Sequence, residues 1–426
     1  MDSASSAALI ARAHEAFCKN KVTEVRDLLT EHAELRALIN APQPNTFGSP
    51  PILSVKSREM LNVLLEFGAD INAKSKWWAG GFGLLHTAPR ELAHYAIERG
   101  AHVDIHAAAR LGLLDRLREL LAQDPSLVHA RGGDGQTPLH FASTQEIAAY
   151  LLDHGADINA RDIDHESTPA QWMLEDRLDL ARFLVQRCCA TDLLMAAALG
   201  DIDLARKQLS ENPDSIRMRV TDEYFPMIGG KAGGTIYQWT LGWYVSPHQV
   251  AKARGHQELF SFLMERTPPS VKLLNAAWFH DEATFNSILA ENPEIIRSLT
   301  PGELRHIAHA ARNNDITALR LFLKAGFPLA ARGQHHATPL HWAAWHGNID
   351  AVQLLLPHEP ELEDHRNDFD GTPLRWAIHG SENGWHRATG NYPATVEALL
   401  RAGAKPPTQP SGTPEVRAIL QRFGVG

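Results

Sequence analysis

Apolar residues in this chain come in short runs at helical spacing, two runs to every stretch of roughly thirty residues, with polar turns between them. One such stretch is DGQTPLHFASTQEIAAYLLDHGADINAR, Asp134 to Arg161, and another is HATPLHWAAWHGNIDAVQLLLPHEPELEDH, His336 to His365. In the phrase T-P-L-H the Thr is a helix cap. The Pro takes the first helical position, where a missing N–H costs nothing. The apolar residues that follow form a face for a neighbouring unit, and the Gly of HGAD or AGA ends the second helix in a left-handed conformation. A single unit of this kind leaves its apolar face uncovered, so stacking has to supply the core.

The same phrasing recurs as DFDGTPLRWAIHG (Asp368 to Gly380), ESTPAQWML (Glu166 to Leu174) and VLLEFGADINAK (Val63 to Lys74), with looser copies between them. These motifs closely resemble the ankyrin-repeat family, and the resemblance extends over nearly the whole chain. It implies an all-α repeat solenoid of helix-turn-helix units with β-hairpin fingers. The expected organisation is one solenoid over residues 1–426, about twelve units long, with a C-terminal cap over 412–426. Interaction is the common use of that architecture, so the resemblance also implies a binding scaffold.

Composition narrows the function. The 426 residues are 44% hydrophobic and 21% charged, with a formal net charge of -9 and no basic stripe, which makes nucleic acid a poor partner. No run of apolar residues is long enough to span a membrane and the start carries no export signal. Three cysteines, Cys18 and the adjacent Cys188 and Cys189, make neither a disulfide framework nor a zinc knuckle. A cytoplasmic protein is expected, with no membrane association and no cofactor. No Walker, dinucleotide-binding or nucleophile-elbow motif is present.

Three segments interrupt the repeat: KSKWWAGGFG (Lys74 to Gly83), a long finger insertion over 220–248 and an inter-helix insertion over 379–394. In the second, TIYQW has the alternation and the residue types of a strand, so an extended hairpin is predicted. The ten tryptophans fall only in fingers, first helices and insertions. Trp172, Trp342 and Trp376 share one register, which in this resemblance points toward a concave groove. Core and finger packing is the ordinary role of Trp in such arrays. Their one-sided distribution points instead to an aromatic lining made by Trp77, Trp78, Trp172, Trp239, Trp243, Trp342, Trp345, Trp376 and Trp385, joined by Tyr224, Tyr237, His165, His335, His336, His346 and His386. Such a groove suits a partner protein or a small, sugar-like ligand.

Asp134, Asp162 and Asp164 also lie in fingers, where turn chemistry explains Asp-Gly. Adjacent His335 and His336 do not share one ion without a third ligand, and no metal-ligand spacing is present, so no metal is expected. The alternative to a scaffold is an enzyme on the same framework. It would be a glycosidase-like hydrolase with Glu166, Asp222, Glu223 and Glu382 as acid and base candidates. Convergence of these carboxylates in one Trp-lined pocket would favour it.

Overall fold

The computed structural model describes residues 3–43, 46–231 and 233–426, and the side chains from residue 7 onward. Helices pair in sequence order, a first helix of four to sixteen residues followed by a second, as in Pro138–Phe141 with Gln145–Asp153 and Pro339–Trp345 with Ile349–Leu355. The chain divides into two compact units, Met1–Asn212 with Met218–Val245, and Pro213–Arg217 with Ser246–Gly426.

The T-P-L-H phrase works through its histidine. His140 Nδ1 accepts from the Thr137 backbone N–H at 3.1 Å and lies 2.9 Å from the Thr137 hydroxyl, while Nε2 donates to the Ser167 carbonyl of the next finger at 3.1 Å. Burial pushes His140 down to about 3, so it stays a neutral linker between repeats. His341 repeats the arrangement with Thr338 and reaches the carbonyls of Asp364 and Gly371, both at 3.0 Å. Around these linkers the first helices are buried nearly all round by small residues, Ala196 to Ala198 and Ala343 to Ala344 among them. The second helices are amphipathic, with Leu180, Ala181 and Leu184 inward.

Two expectations are corrected. The fingers are turns and short 3-10 segments, not hairpin ladders: the described residues contain a single isolated antiparallel bridge, Lys74 with Gly83. Left-handed residues at the finger tips, Asp134, His335 and Asp370, break extended pairing there. TIYQW forms no strand either. Thr235, Ile236 and Tyr237 are buried consecutively, which a period of two forbids, and Tyr237–Thr240 closes into one helical turn. The left-handed Gly234 and Gly242 flank it.

Candidate functional site

In the first unit the long insertion folds back over the finger 161–168. Its base is closed by Val220 N–H to Val245 O at 3.1 Å and Tyr244 N–H to Val220 O at 3.0 Å. Its middle is pinned at several points. The amides of Ile228 and Gly229 donate to the Glu166 carboxylate, Gly233 N–H to the Asp164 carbonyl, and Ile236 N–H to the Ser167 hydroxyl. Tyr237 is fully buried and donates to Asp192 at 2.8 Å. It anchors the insertion from below and does not reach a ligand, contrary to its expected place in the lining. Trp243 is buried as well.

This folding encloses a cavity of about 710 Å3, with Phe47, Trp77, Trp78, Phe82, Trp172 and Trp239 among its walls and Asp134, Asp164, His165 and Lys231 at its polar end. Trp239 is 70% exposed, and Trp172 meets the His165 ring edge-on at 5.2 Å. Two neighbouring fingers meet at the polar end: the amides of Ile163 and Asp164 donate to the Asp134 carbonyl at 2.8 and 3.1 Å. Asp162 is fully engaged, accepting from the amides of His165 and Ser167 and from the Trp172 indole at 2.9 Å. The Asp134 carboxyl is raised to about 6, chiefly by burial and then by the charge of Asp164.

The second unit builds a different site from the same register. The helices Pro339–Trp345 and Pro373–Asn383 and the loop after the latter bring together Trp342, Trp345, Trp376 and Trp385. With His335, Phe369, Arg375 and His379 they line a cavity of about 450 Å3. Trp342 stands edge-on to Trp376 at 5.3 Å and stacks with Trp385 at 5.7 Å, 26° apart. These are separations at which aromatic pairs gain energy beyond their buried area. Trp342 is 2% exposed and forms the floor; Trp385 is 56% exposed and forms the lip.

The inter-helix insertion places that lip. The helix runs on to Asn383, and Gly384 then passes so close to Tyr392 and Trp345 that a Cβ there would lie 2.6 Å from the Tyr392 hydroxyl. The Tyr392 hydroxyl donates to the Trp345 carbonyl at 2.9 Å. Arg312 lies behind the cluster, its guanidinium 4.7 Å from the centre of the Trp385 ring. His346 is also buried, its Nε2 donating to the Arg312 carbonyl at 2.8 Å, and burial lowers it to about 4. The indole N–H groups of Trp342 and Trp345 and Nδ1 of His346 are buried without a hydrogen-bond partner. Each such group costs about 1–3 kcal/mol.

Of the remaining candidates, only His335 also lines one of these two cavities. His335 and His336 share the Asp368 carboxylate, at 3.2 and 2.7 Å. His386 meets the His346 ring edge-on at 4.8 Å. Asp222 and Glu223 are exposed, and Tyr224 is near the surface. None of Glu166, Asp222, Glu223 and Glu382 lines either aromatic cavity. Glu382 also belongs to the other unit from the first three. The convergence that acid and base chemistry requires is therefore missing from these four, and Glu166 is committed to backbone amides. Arg375, Phe369 and His379 were not singled out from the sequence as site residues. The clue was Phe369, an apolar residue between two aspartates at a finger tip where a turn wants polar residues.

Comparison with known proteins agrees with the fold. The family model for ankyrin repeats (3 copies) matches residues 55–162, 105–193, 273–365 and 307–410, which together cover more than half of the chain. This chain belongs to the ankyrin-repeat family. Local similarity reaches a serine/threonine-protein kinase VIK of Arabidopsis thaliana, 44% identical over 69 residues, 14% of this chain and 16% of the relative. It also reaches an E3 ubiquitin-protein ligase XB3 of Oryza sativa subsp. japonica, 35% identical over 98 residues, 23% and 22% of the two chains. A third relative is a transient receptor potential cation channel subfamily A member 1 homolog of Caenorhabditis elegans, 42% identical over 76 residues, 17% and 6%. The matched part spans less than a quarter of each relative's length. Ankyrin repeats mediate protein interactions and imply a protein-binding scaffold. Among the described residues no helix is long and apolar enough to cross a membrane.

Proposed function

We propose that the recognition site of this scaffold is the tryptophan-walled cavity of the second unit, and that its ligand is a large apolar or aromatic side chain of a partner protein. One observation carries the reading: four indoles converge on a pocket whose exposed cation, Arg375, has no side-chain hydrogen bond or ion pair among the described residues. Binding energy in protein interfaces concentrates where an aromatic or aliphatic anchor enters a desolvated pocket. A free guanidinium at the rim suits an acidic residue beside that anchor. A reducing cytoplasm is the compartment that suits three free cysteines.

Selection of displayed peptides on the immobilised full chain tests this. The peptides recovered should share an aromatic or large aliphatic residue flanked by Asp or Glu. Trp385→Ala and Arg375→Ala should each weaken the selected peptides at least about tenfold, and Arg375→Ala, whose exposed side chain makes no hydrogen bond or ion pair among the described residues, should do so without lowering the melting temperature. Peptides that bind both variants as well as the parent would overturn the assignment. A saccharide that competes with the peptides would shift it to a sugar-like ligand.

A further inference from the structure

The first unit's cavity has a polar end that the scaffold function does not use. Asp134 and the pair Asp164 and His165 come from consecutive fingers. One carboxylate oxygen from each aspartate and one ring nitrogen of the histidine all lie within 4.8 Å of one another. His165 Nδ1 donates to the Gly234 carbonyl at 2.8 Å, which leaves Nε2 facing Asp164, 3.7 Å away. A backbone carbonyl on one ring nitrogen that fixes the other as ligand is the common outer-shell device of metal-binding histidines. Asp164 provides an independent indication. It is only 7% exposed and lines the cavity, yet its carboxylate accepts no hydrogen bond among the described residues, whereas neighbouring Asp162 accepts three. A buried carboxylate left in that state calls for a cation.

We infer that Asp134, Asp164 and His165 form a binding site for a divalent transition-metal cation of the Mn2+ or Zn2+ class. Two carboxylates with one imidazole match these ions better than the all-oxygen sets of Ca2+ and Mg2+. The ligand atoms need to close in by about half an ångström to reach bond lengths of roughly 2.0–2.3 Å. The finger carrying Asp134 and the insertion that holds His165 through Gly234 are the parts that move. Three protein ligands leave coordination positions toward the aromatic cavity for water or for an oxygen donor of a ligand.

Mn2+ is the probe. The full chain, stripped with chelator, is titrated with Mn2+ while free ion is counted by electron paramagnetic resonance. One equivalent should bind with a dissociation constant on the order of 0.1 mM or tighter. Asp164→Asn and Asp134→Asn should each weaken it at least about tenfold, and Zn2+ should displace it. Asn suits the left-handed backbone of Asp134, so that variant keeps the fold. Pulsed measurement of the bound ion should show nitrogen coupling from one imidazole, absent in His165→Gln. The assignment is overturned by any one of three results: no bound equivalent at millimolar Mn2+, an affinity in either Asn variant equal to that of the parent, or no nitrogen coupling in the parent.

Discussion

Trp172 in the first unit and Trp342 in the second occupy one register, each directly after its capping turn, yet they end in opposite chemistry. The finger before Trp172 reads ARDIDHESTP and that before Trp342 reads ARGQHHATP. After the shared Arg, the first has Asp162, which accepts a hydrogen bond from the Trp172 indole N–H; the second has Gly333, which has no side chain to offer. The Trp342 indole is buried without an acceptor and packs against other indoles. Meanwhile Arg332 turns to Asp364, which Arg366 also engages. Both cavities have aromatic walls; the finger carboxylate gives the first indole a partner beside a polar end, and without it the second indole packs against other indoles. Repeats can thus diverge in function by changing finger residues while the helix phrases stay constant.

The largest expected effect separates floor from lip. Trp342→Ala removes a buried ring and should cost the second unit about 3–5 kcal/mol in urea unfolding. Trp239→Ala, at an exposed wall of the first unit's cavity, should stay within about 0.5 kcal/mol. Equal losses would break the distinction between a packed and a presented indole.

Next comes the finger carboxylate. Asp162→Ala strands the amides of His165 and Ser167 and the Trp172 indole, and should destabilise the first unit by about 2–4 kcal/mol. A loss below about 0.5 kcal/mol would mean that water replaces the carboxylate and that Asp162 does not define the site.

The pH response follows. His346 titrates near 4 in the fold, because burial and then neighbouring His386 and Arg312 disfavour its cation. In the unfolded chain it titrates near 6.5. Its stabilising effect is complete above about 6.5 and drains as pH falls toward 4, because only the unfolded chain gains the proton. The loss is about 3 kcal/mol, and His346→Gln should flatten that part of the profile. An unchanged profile in the variant would sink the assignment.

Asp134 in the first unit runs the other way and is the smallest effect. Its carboxyl, raised to about 6, favours the protonated form in the fold and is a liability at neutral pH. In chelator-treated buffer Asp134→Asn should be more stable than the parent at pH 7.5 by about 1 kcal/mol after allowance for solvent screening. The gap should close below pH 4. A variant less stable than the parent at pH 7.5 would show that the charge is compensated in the fold.

The sequence by itself determined the repeat, because caps, prolines and helical spacing are local signals that each unit carries complete. It also determined where the tryptophans sit relative to the helices, since register is counted along the chain. It misjudged TIYQW, whose residue types suit a strand but whose burial is decided by Asp192 under Tyr237 and by a finger sixty-odd residues away. It also spread one aromatic lining over what are two separate sets, because residue type does not say which indole is floor, lip or core.

Only the tertiary structure decided which charges meet. Asp134 and Asp164 are thirty residues apart; Asp134 before Gly135 reads as turn chemistry, and Asp164 as one more charged finger residue. Stacking brings their fingers together, and the insertion turns His165 toward them. Glu166, by residue type an equally good candidate, was drawn off by two backbone amides. The physical reason is that helix formation is read from neighbours three and four residues away, whereas a site depends on distances that only the stacking of repeats sets.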